Sequence, residues 1–211
     1  MQQSDKTDLL IIDDHDIIAL GLKALLTGHS RLGNIDNATT ASQAMEMTAK
    51  QHYGLFIIDV ELPDMLGIEL VASLKALSPD SAFIFHTFHD ELWTLRQMMK
   101  SGADGIVMKS DDTAELIAAI EQVLDGGSYF SKQYRLACQE MEQYQELSAR
   151  EIEVLRLIAE GLMTRDIATR LFVSDNTIEF HRKRIRRKLG ASNMAQLVKE
   201  GIARGYIKTI K

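Results

Sequence analysis

Leu55-Phe56-Ile57-Ile58-Asp59 sets four apolar residues in a row and ends them on a carboxylate, and Leu9-Leu10-Ile11-Ile12-Asp13-Asp14 repeats that shape near the start of the chain. Apolar runs of the same kind recur at Ala82 to Phe85 and Gly105 to Met108, with a weaker one around Ile35 to Ala38. Between them the apolar residues fall at helical spacing, over Ile17 to Leu26, Ala41 to Lys50, Ile68 to Leu77, Glu91 to Lys100 and Thr113 to Leu124. The alternation predicts five βα units. Continuous apolar strands are buried on both faces, so the sheet is mostly parallel with helices on each side.

Beyond Leu124 the strand pattern stops. Gly126-Gly127 closes the last helix, a Gln/Glu/Tyr-rich stretch follows, and the rest carries only helical signals. Tyr134, Ala137, Met141 and Tyr144 fall near helical spacing, so that stretch is expected to be partly helical. Charge divides at the same place. Met1 to Phe130 holds 8 Lys and Arg against 20 Asp and Glu, whereas Glu146 to Lys211 holds 14 against 8, within a total net charge of -6. An acidic front half and a basic back half predict two domains with different partners, the basic one suited to a polyanion.

Composition removes several function classes. With 45% hydrophobic and 26% charged residues the chain is not a disordered one. No apolar run approaches the roughly 18 residues of a membrane span, and Met1 to Asp8 carries no export signal, so a soluble cytoplasmic protein without a membrane partner is expected. The single cysteine, Cys138, forms no intrachain disulfide and builds no zinc or iron–sulfur centre.

In an open parallel sheet the ligand crevice lies at the carboxyl ends of the strands. There the sequence places Asp13, Asp14 and Asp59, with Thr87 after the fourth strand and Lys109 after the fifth. Three carboxylates brought together repel one another unless a cation sits among them, which predicts a hard divalent ion on oxygen ligands, Mg²⁺ being the natural candidate. No glycine-rich phosphate loop is present. Any phosphate is therefore delivered to a carboxylate. His15, His86 and His89 are expected to be loop histidines without a catalytic role.

Leu10 to His15, the run Phe56-Ile-Ile-Asp59-Val-Glu-Leu-Pro-Asp-Met-Leu-Gly67, the Thr87 strand end and Gly102-Ala-Asp-Gly-Ile-Val-Met-Lys109 closely resemble the receiver domain of two-component response regulators, over about Asp8 to Ser128. The resemblance implies that Asp59 accepts a phosphoryl group from a phosphohistidine on a sensor histidine kinase. It implies further that Asp14, Asp59 and the backbone carbonyl of Glu61 hold Mg²⁺, with Asp13 acting through water. Lys109 would neutralise phosphoryl oxygens, and Thr87 would donate its hydroxyl to one, drawing the following loop inward. The family often carries an aromatic residue three before the lysine. This chain has Ile106, so the signal is expected to travel through loop and backbone shifts.

In the second region Ser148 and Glu151 form a capping box before an apolar stripe of Ile152, Leu155, Ile158 and Ala159, giving a helix from about Ala149 to Gly161. A second helix spans Thr164 to Leu171. A third, Asn176 to Leu189, carries Arg182, Lys183, Arg184, Arg186, Arg187 and Lys188 within seven residues. On a helical wheel Ile178, His181, Ile185 and Leu189 share a packed side, opposite Asn176, Glu179, Phe180, Lys183 and Arg187. That opposite face suits a major groove. Phe180 would meet a thymine methyl, Lys183 a guanine or a phosphate, and Arg184, Arg186, Arg187 and Lys188 the backbone, with Thr177 joining at the helix start. A basic helix on a membrane or protein surface is the competing reading.

Leu147 to Leu197, above all Leu-Ser-Ala-Arg-Glu-Ile-Glu-Val-Leu155, Asp166-Ile-Ala-Thr-Arg-Leu171 and Ser174 to His181, resembles the LuxR-type helix-turn-helix. With a receiver in front, the order is that of the NarL/FixJ class of response regulators. The implied architecture is a flavodoxin-like, doubly wound five-stranded parallel sheet over 1–128, a linker over 129–146 and an all-α four-helix domain over 147–211. The implied function is a phosphorylation-controlled regulator of transcription that binds double-stranded DNA as a homodimer when active, with the last helix, Ala195 to Arg204, available for the dimer contact. Family members most often carry Lys where this chain has Glu179, an exchange expected to alter base preference toward a cytosine amino group. Two rivals stay open: a phosphorylation-independent regulator with an atypical receiver, and a Mg²⁺-dependent aspartyl-phosphate hydrolase.

Overall fold

The computed structural model describes residues 6–142 and 146–208. Tyr144 of the expected linker helix lies outside the described residues. Two compact units divide the chain, one ending at Arg135 and the other holding Leu136 onward together with Glu91–Arg96.

Up to Phe130 the chain alternates β1 (Thr7–Ile12), α1 (Asp16–Leu26), β2 (Leu32–Ala38), α2 (Ala41–Lys50), β3 (Leu55–Ile58), α3 (Gly67–Leu77), β4 (Ala82–Thr87), α4 (Leu92–Ser101), β5 (Gly105–Met108), α5 (Thr113–Leu124) and β6 (Tyr129–Phe130). All strand pairs are parallel, in the order β2-β1-β3-β4-β5-β6. Leu9 to Ile12 and Leu55 to Ile58 are at most 1% exposed, because helices cover the sheet on both faces. Each such side chain contributes roughly 1.5–3 kcal/mol of burial, and a charge placed at Ile57 would forfeit that while stranding itself in the core. β2 at the edge buries only Leu32, Ile35 and Ala38 among exposed and half-buried residues, which explains its weak signal in the sequence. Local chemistry fixes the helix starts: Thr40 accepts the Gln43 N–H before α2, and Asp112 accepts the Ala114 N–H before α5.

The sheet has six strands rather than five. Tyr129 and Phe130 pair with Gly105 and Ile106, and the Tyr129 hydroxyl donates to Glu115 Oε2 at 2.8 Å. Two residues are too few to register as an apolar run, so the stretch read as linker from residue 129 opens with a strand and continues as helix α6 (Lys132–Glu142).

The second unit holds α7 (Ala149–Ala159), α8 (Thr164–Arg170), α9 (Asp175–Leu189) and α10 (Met194–Ala203) around Val154, Leu155, Ile167, Ile178, Ile185 and Leu197, each fully buried. The capping box forms as expected, with Ser148 accepting from the Glu151 N–H and the Glu151 side chain accepting from the Ser148 N–H. Between α8 and α9, Phe172 takes the left-handed conformation at φ 55, with its N–H on the Thr169 carbonyl and the Val173 N–H on the Ala168 carbonyl. That pair of bonds is the Schellman ending of a helix, a place normally held by glycine or asparagine.

Candidate functional site

Register brings the first group of residues together. Ile12 pairs with Ile58, and the Asp59 N–H donates to the Ile12 carbonyl at 2.8 Å, so Asp13 and Asp59 leave adjacent strands side by side. On the other side Thr87 pairs with Met108, and the Lys109 N–H donates to the Thr87 carbonyl at 2.8 Å. The two carboxylates would repel in so buried a place, Asp13 being 2% and Asp59 6% exposed. The Lys109 ammonium settles the conflict: Nζ lies 2.7 Å from Asp13 Oδ2 and 2.7 Å from Asp59 Oδ2. The Val60 N–H holds the second Asp59 oxygen at 2.7 Å.

Asp14 completes the cluster from a more exposed position, with His15 Nδ1 2.8 Å from its carboxylate and 3.3 Å from that of Asp13. Ligand atoms of Asp13, Asp14, His15 and Asp59 lie within 4.8 Å of one another. Three carboxylates against one lysine leave an excess of negative charge on oxygen donors, which fits a hard divalent cation. Thr87 is fully buried, its Oγ1 accepting the His89 N–H at 3.2 Å. Glu61 is exposed and its side chain pairs with His89, 3.0 Å from Nε2, outside the group formed by Asp13, Asp14, His15 and Asp59, so its backbone is left for the expected role. Ile106 is fully buried in β5.

The loop after Asp59 is fastened at two points. A Cβ on Gly67 would sit 2.0 Å from the Asp59 carbonyl oxygen, so only glycine lets α3 start there. Asp64 accepts from the N–H groups of Ala41 and Ser42 and from the Ser42 hydroxyl, and these donors, Ser42 first, hold its carboxyl below its ordinary value. His86 is no loop residue. It sits in β4, where burial first and the Lys109 charge second push its pKa down to about 4.

In the second unit α9 presents the two faces that the wheel separated. Ile178, Ile185 and Leu189 are buried, whereas Asn176, Glu179, Phe180, Lys183, Arg184, Arg186 and Arg187 are exposed. Thr177, Glu179, Arg184, Arg186 and Lys188 of the expected DNA face have internal partners, Arg186 donating to the Ala191 and Ser192 carbonyls at the end of its own helix. The Thr177 N–H and hydroxyl both meet Ser174 Oγ, in the helix cap. Glu179 accepts the Thr164 hydroxyl at 2.7 Å, which turns it toward α8. Lys188, expected to reach a phosphate, instead donates to Glu151 Oε2 at 2.7 Å and to the Glu146 carbonyl at 2.8 Å. Arg184 divides its contacts, with Nε 3.1 Å from Glu151 Oε1 and the guanidinium 5.5 Å from the Phe180 ring. Burial pushes the Glu151 carboxyl up, but Lys188 and the Ser148 N–H outweigh it and leave the group below its ordinary value. No sequence signal marks these partners, because Glu151 and Lys188 lie 37 residues apart.

A pocket of aspartates and lysine at the end of a parallel sheet, followed by a helical unit with a cationic third helix, defines a receiver joined to a DNA-binding effector. The family model of the response regulator receiver domain matches residues 9–121, and that of bacterial regulatory proteins of the luxR family matches residues 145–200. The chain belongs to the response regulators, in the NarL/FixJ class that carries a LuxR-type helix-turn-helix, and is a DNA-binding regulator of that family. It is similar to the transcriptional activator protein ExaE of Pseudomonas putida, with 31% identity over 95% of this chain and 98% of that one. Transcriptional regulatory protein DegU of Brevibacillus brevis is 28% identical over 97% of this chain and 96% of its own. Among solved structures, RcsB from Salmonella enterica serovar Typhimurium, bound to a promoter in the presence of the phosphomimetic BeF3-, aligns with a TM-score of 0.69 at 25% identity over 94% of this chain and 99% of that one. Among the described residues no helix is long and apolar enough to cross a membrane.

Proposed function

We propose that this protein is a cytoplasmic transcription regulator whose DNA binding is controlled by transfer of a phosphoryl group from a sensor histidine kinase to Asp59. The carrying observation is Lys109 Nζ at 2.7 Å from both Asp13 and Asp59, at the carboxyl edge of the sheet. One Asp59 oxygen is occupied by the Val60 N–H and the other by Lys109, so the attacking oxygen is already oriented. As charge builds on the phosphoryl oxygens, the Lys109 ammonium is in place to follow it from carboxylate to phosphoryl group.

Mg²⁺ fits the donor set of Asp13, Asp14, Asp59 and the Glu61 carbonyl, and when bound it supplies further neutralisation of phosphoryl charge. Thr87 gives up its contact with the His89 N–H to donate to a phosphoryl oxygen, and residues 88–91 follow. Ile106 offers no rotating ring, so that loop carries the signal. Beyond its own phosphorylation the chain catalyses no reaction in this reading. The two-fold assembly on double-stranded DNA is supported by the similar RcsB, whose dimers have been seen bound to DNA. Half-sites about one helical turn apart follow from a dimer with one α9 per major groove.

Intact-mass measurement after incubation with acetyl phosphate and Mg²⁺, beside Asp59→Asn, tests the reading, with DNA affinity and oligomeric state measured on the same samples. The expected result is a gain of about 80 Da, one phosphoryl group, in wild type alone, together with tighter DNA binding. No adduct and unchanged DNA binding would leave a phosphorylation-independent regulator, which is the reading that the aliphatic Ile106 would then favour.

A further inference from the structure

Phe88 follows the fully buried Thr87, yet it is 61% exposed. It shares one cleft with Asp59, Glu61, Pro63 and His89, and its ring centroid lies 5.5 Å from Lys109 Nζ. Lys109 therefore has a carboxylate on two sides and an aromatic ring on a third, and its side chain is only 2% exposed. A large apolar ring left exposed on a rim that it shares with carboxylates and histidines as well as Leu62 and Pro63 loses burial energy in the free protein. Such a ring gains when a flat, apolar-faced group comes to lie against it.

In-line transfer to Asp59 puts the leaving group on the far side of the phosphorus from the Asp59 oxygen, toward the open mouth of the cleft that Phe88 lines. We propose that Phe88 is a specificity-determining residue that selects donors whose leaving group is an imidazole, by stacking against that ring. The inference rests on Asp59 being the acceptor and names the donor chemistry of that site. In the step, an Asp59 oxygen forms the O–P bond as the P–N bond to the imidazole breaks. The bonding pair returns to that ring nitrogen, while the other ring nitrogen keeps its proton, so a neutral imidazole departs. Before transfer the protonated phosphoimidazole ring is cationic in character, which strengthens its attraction to the Phe88 face.

The test compares monophosphoimidazole with phosphoramidate, whose leaving group is ammonia, as donors to the full chain with Mg²⁺, for wild type, Phe88→Ala and Phe88→Trp, following the rate of mass gain. Aromatic contacts of this size give about a 2- to 10-fold effect. Phe88→Ala is expected to lose that factor with monophosphoimidazole while its phosphoramidate rate stays within about twofold, and Phe88→Trp is expected to restore the preference. Equal changes with both donors, or a faster reaction of Phe88→Ala with both, would show a steric or structural role and overturn the proposal. If wild type accepts neither of these donors nor acetyl phosphate, the underlying reading of Asp59 as acceptor fails, whereas acceptance of acetyl phosphate alone overturns only this proposal. If wild type accepts both and Phe88→Ala leaves their ratio unchanged, only the stacking role fails.

Discussion

Lys188 Nζ lies 2.7 Å from Glu151 Oε2, a contact that ties the last turn of α9 to the capped first turn of α7. Glu151 is 1% exposed and also meets Arg184 on the same helix. Helix α9 is thus held by a carboxylate that the core has buried. Removing Glu151 takes the carboxylate from the mostly buried Lys188, leaves it only the Glu146 carbonyl and opens the α7 cap, which costs about 3 kcal/mol. Glu151→Ala is expected to destabilise the second unit by that amount in chemical denaturation. Glu151→Met combined with Lys188→Met should recover most of the loss, since packed apolar groups replace a buried pair well.

DNA binding separates Lys188 from its neighbours. Lys183 and Arg187 are exposed on the outward face of α9, so Lys183→Ala and Arg187→Ala should weaken DNA binding with little change in melting temperature. A residue that touches phosphate should also lower the slope of log affinity against log salt by about 1. Lys188→Ala should show the reverse pattern, a lower melting temperature with an unchanged salt slope in the folded fraction.

Stability of the first unit should fall in mild acid through His86. Its pKa is about 4 in the folded protein against an ordinary 6.5, so the unfolded chain takes up the proton first as pH falls. The contribution is intact above pH 6.5 and is lost progressively between 6.5 and 4. At pH 5 the loss is about 2 kcal/mol, and His86→Leu should flatten that part of the pH–stability curve.

Phe172 points the other way, toward a gain. Its φ of 55 places a side chain where the backbone favours glycine, and the ring is 95% exposed, so it repays little of the strain. Phe172→Gly should stabilise the second unit by about 1 kcal/mol in urea denaturation, because relief of the left-handed strain exceeds the added chain entropy.

At Gly67 a methyl group would meet the Asp59 carbonyl oxygen at 2.0 Å, and the backbone of the acceptor must then move. A displacement of about 1 Å at a reacting group costs on the order of 100-fold in rate, so Gly67→Ala should slow phosphoryl acceptance by that factor while circular dichroism stays that of the folded chain.

Much of this architecture was legible in local order. The apolar runs ending on Asp13 and Asp59, the Ser148 and Glu151 box, and the stripe of Ile178, Ile185 and Leu189 each carry their meaning in residues that are neighbours in the chain. β6 was not legible, since two residues carry no period and pair only because Gly105 and Ile106 already offer an edge. His86 escapes a local reading for a related reason. A strand position looks like a loop position when the residue is polar, and only the surrounding layers show that it is enclosed.

The sequence by itself determined the fold class, the division into an acidic and a basic unit and the residue types of both sites, because hydrophobic period, capping and charge act over a few positions. Only the tertiary structure decided which charged groups have partners. Lys109 bridges Asp13 and Asp59, and Lys188 turns inward to Glu151 while Lys183 remains outside. Pairing in each case depends on distances of a few ångströms between residues tens of positions apart, and strand register and helix packing set those distances where side-chain type does not.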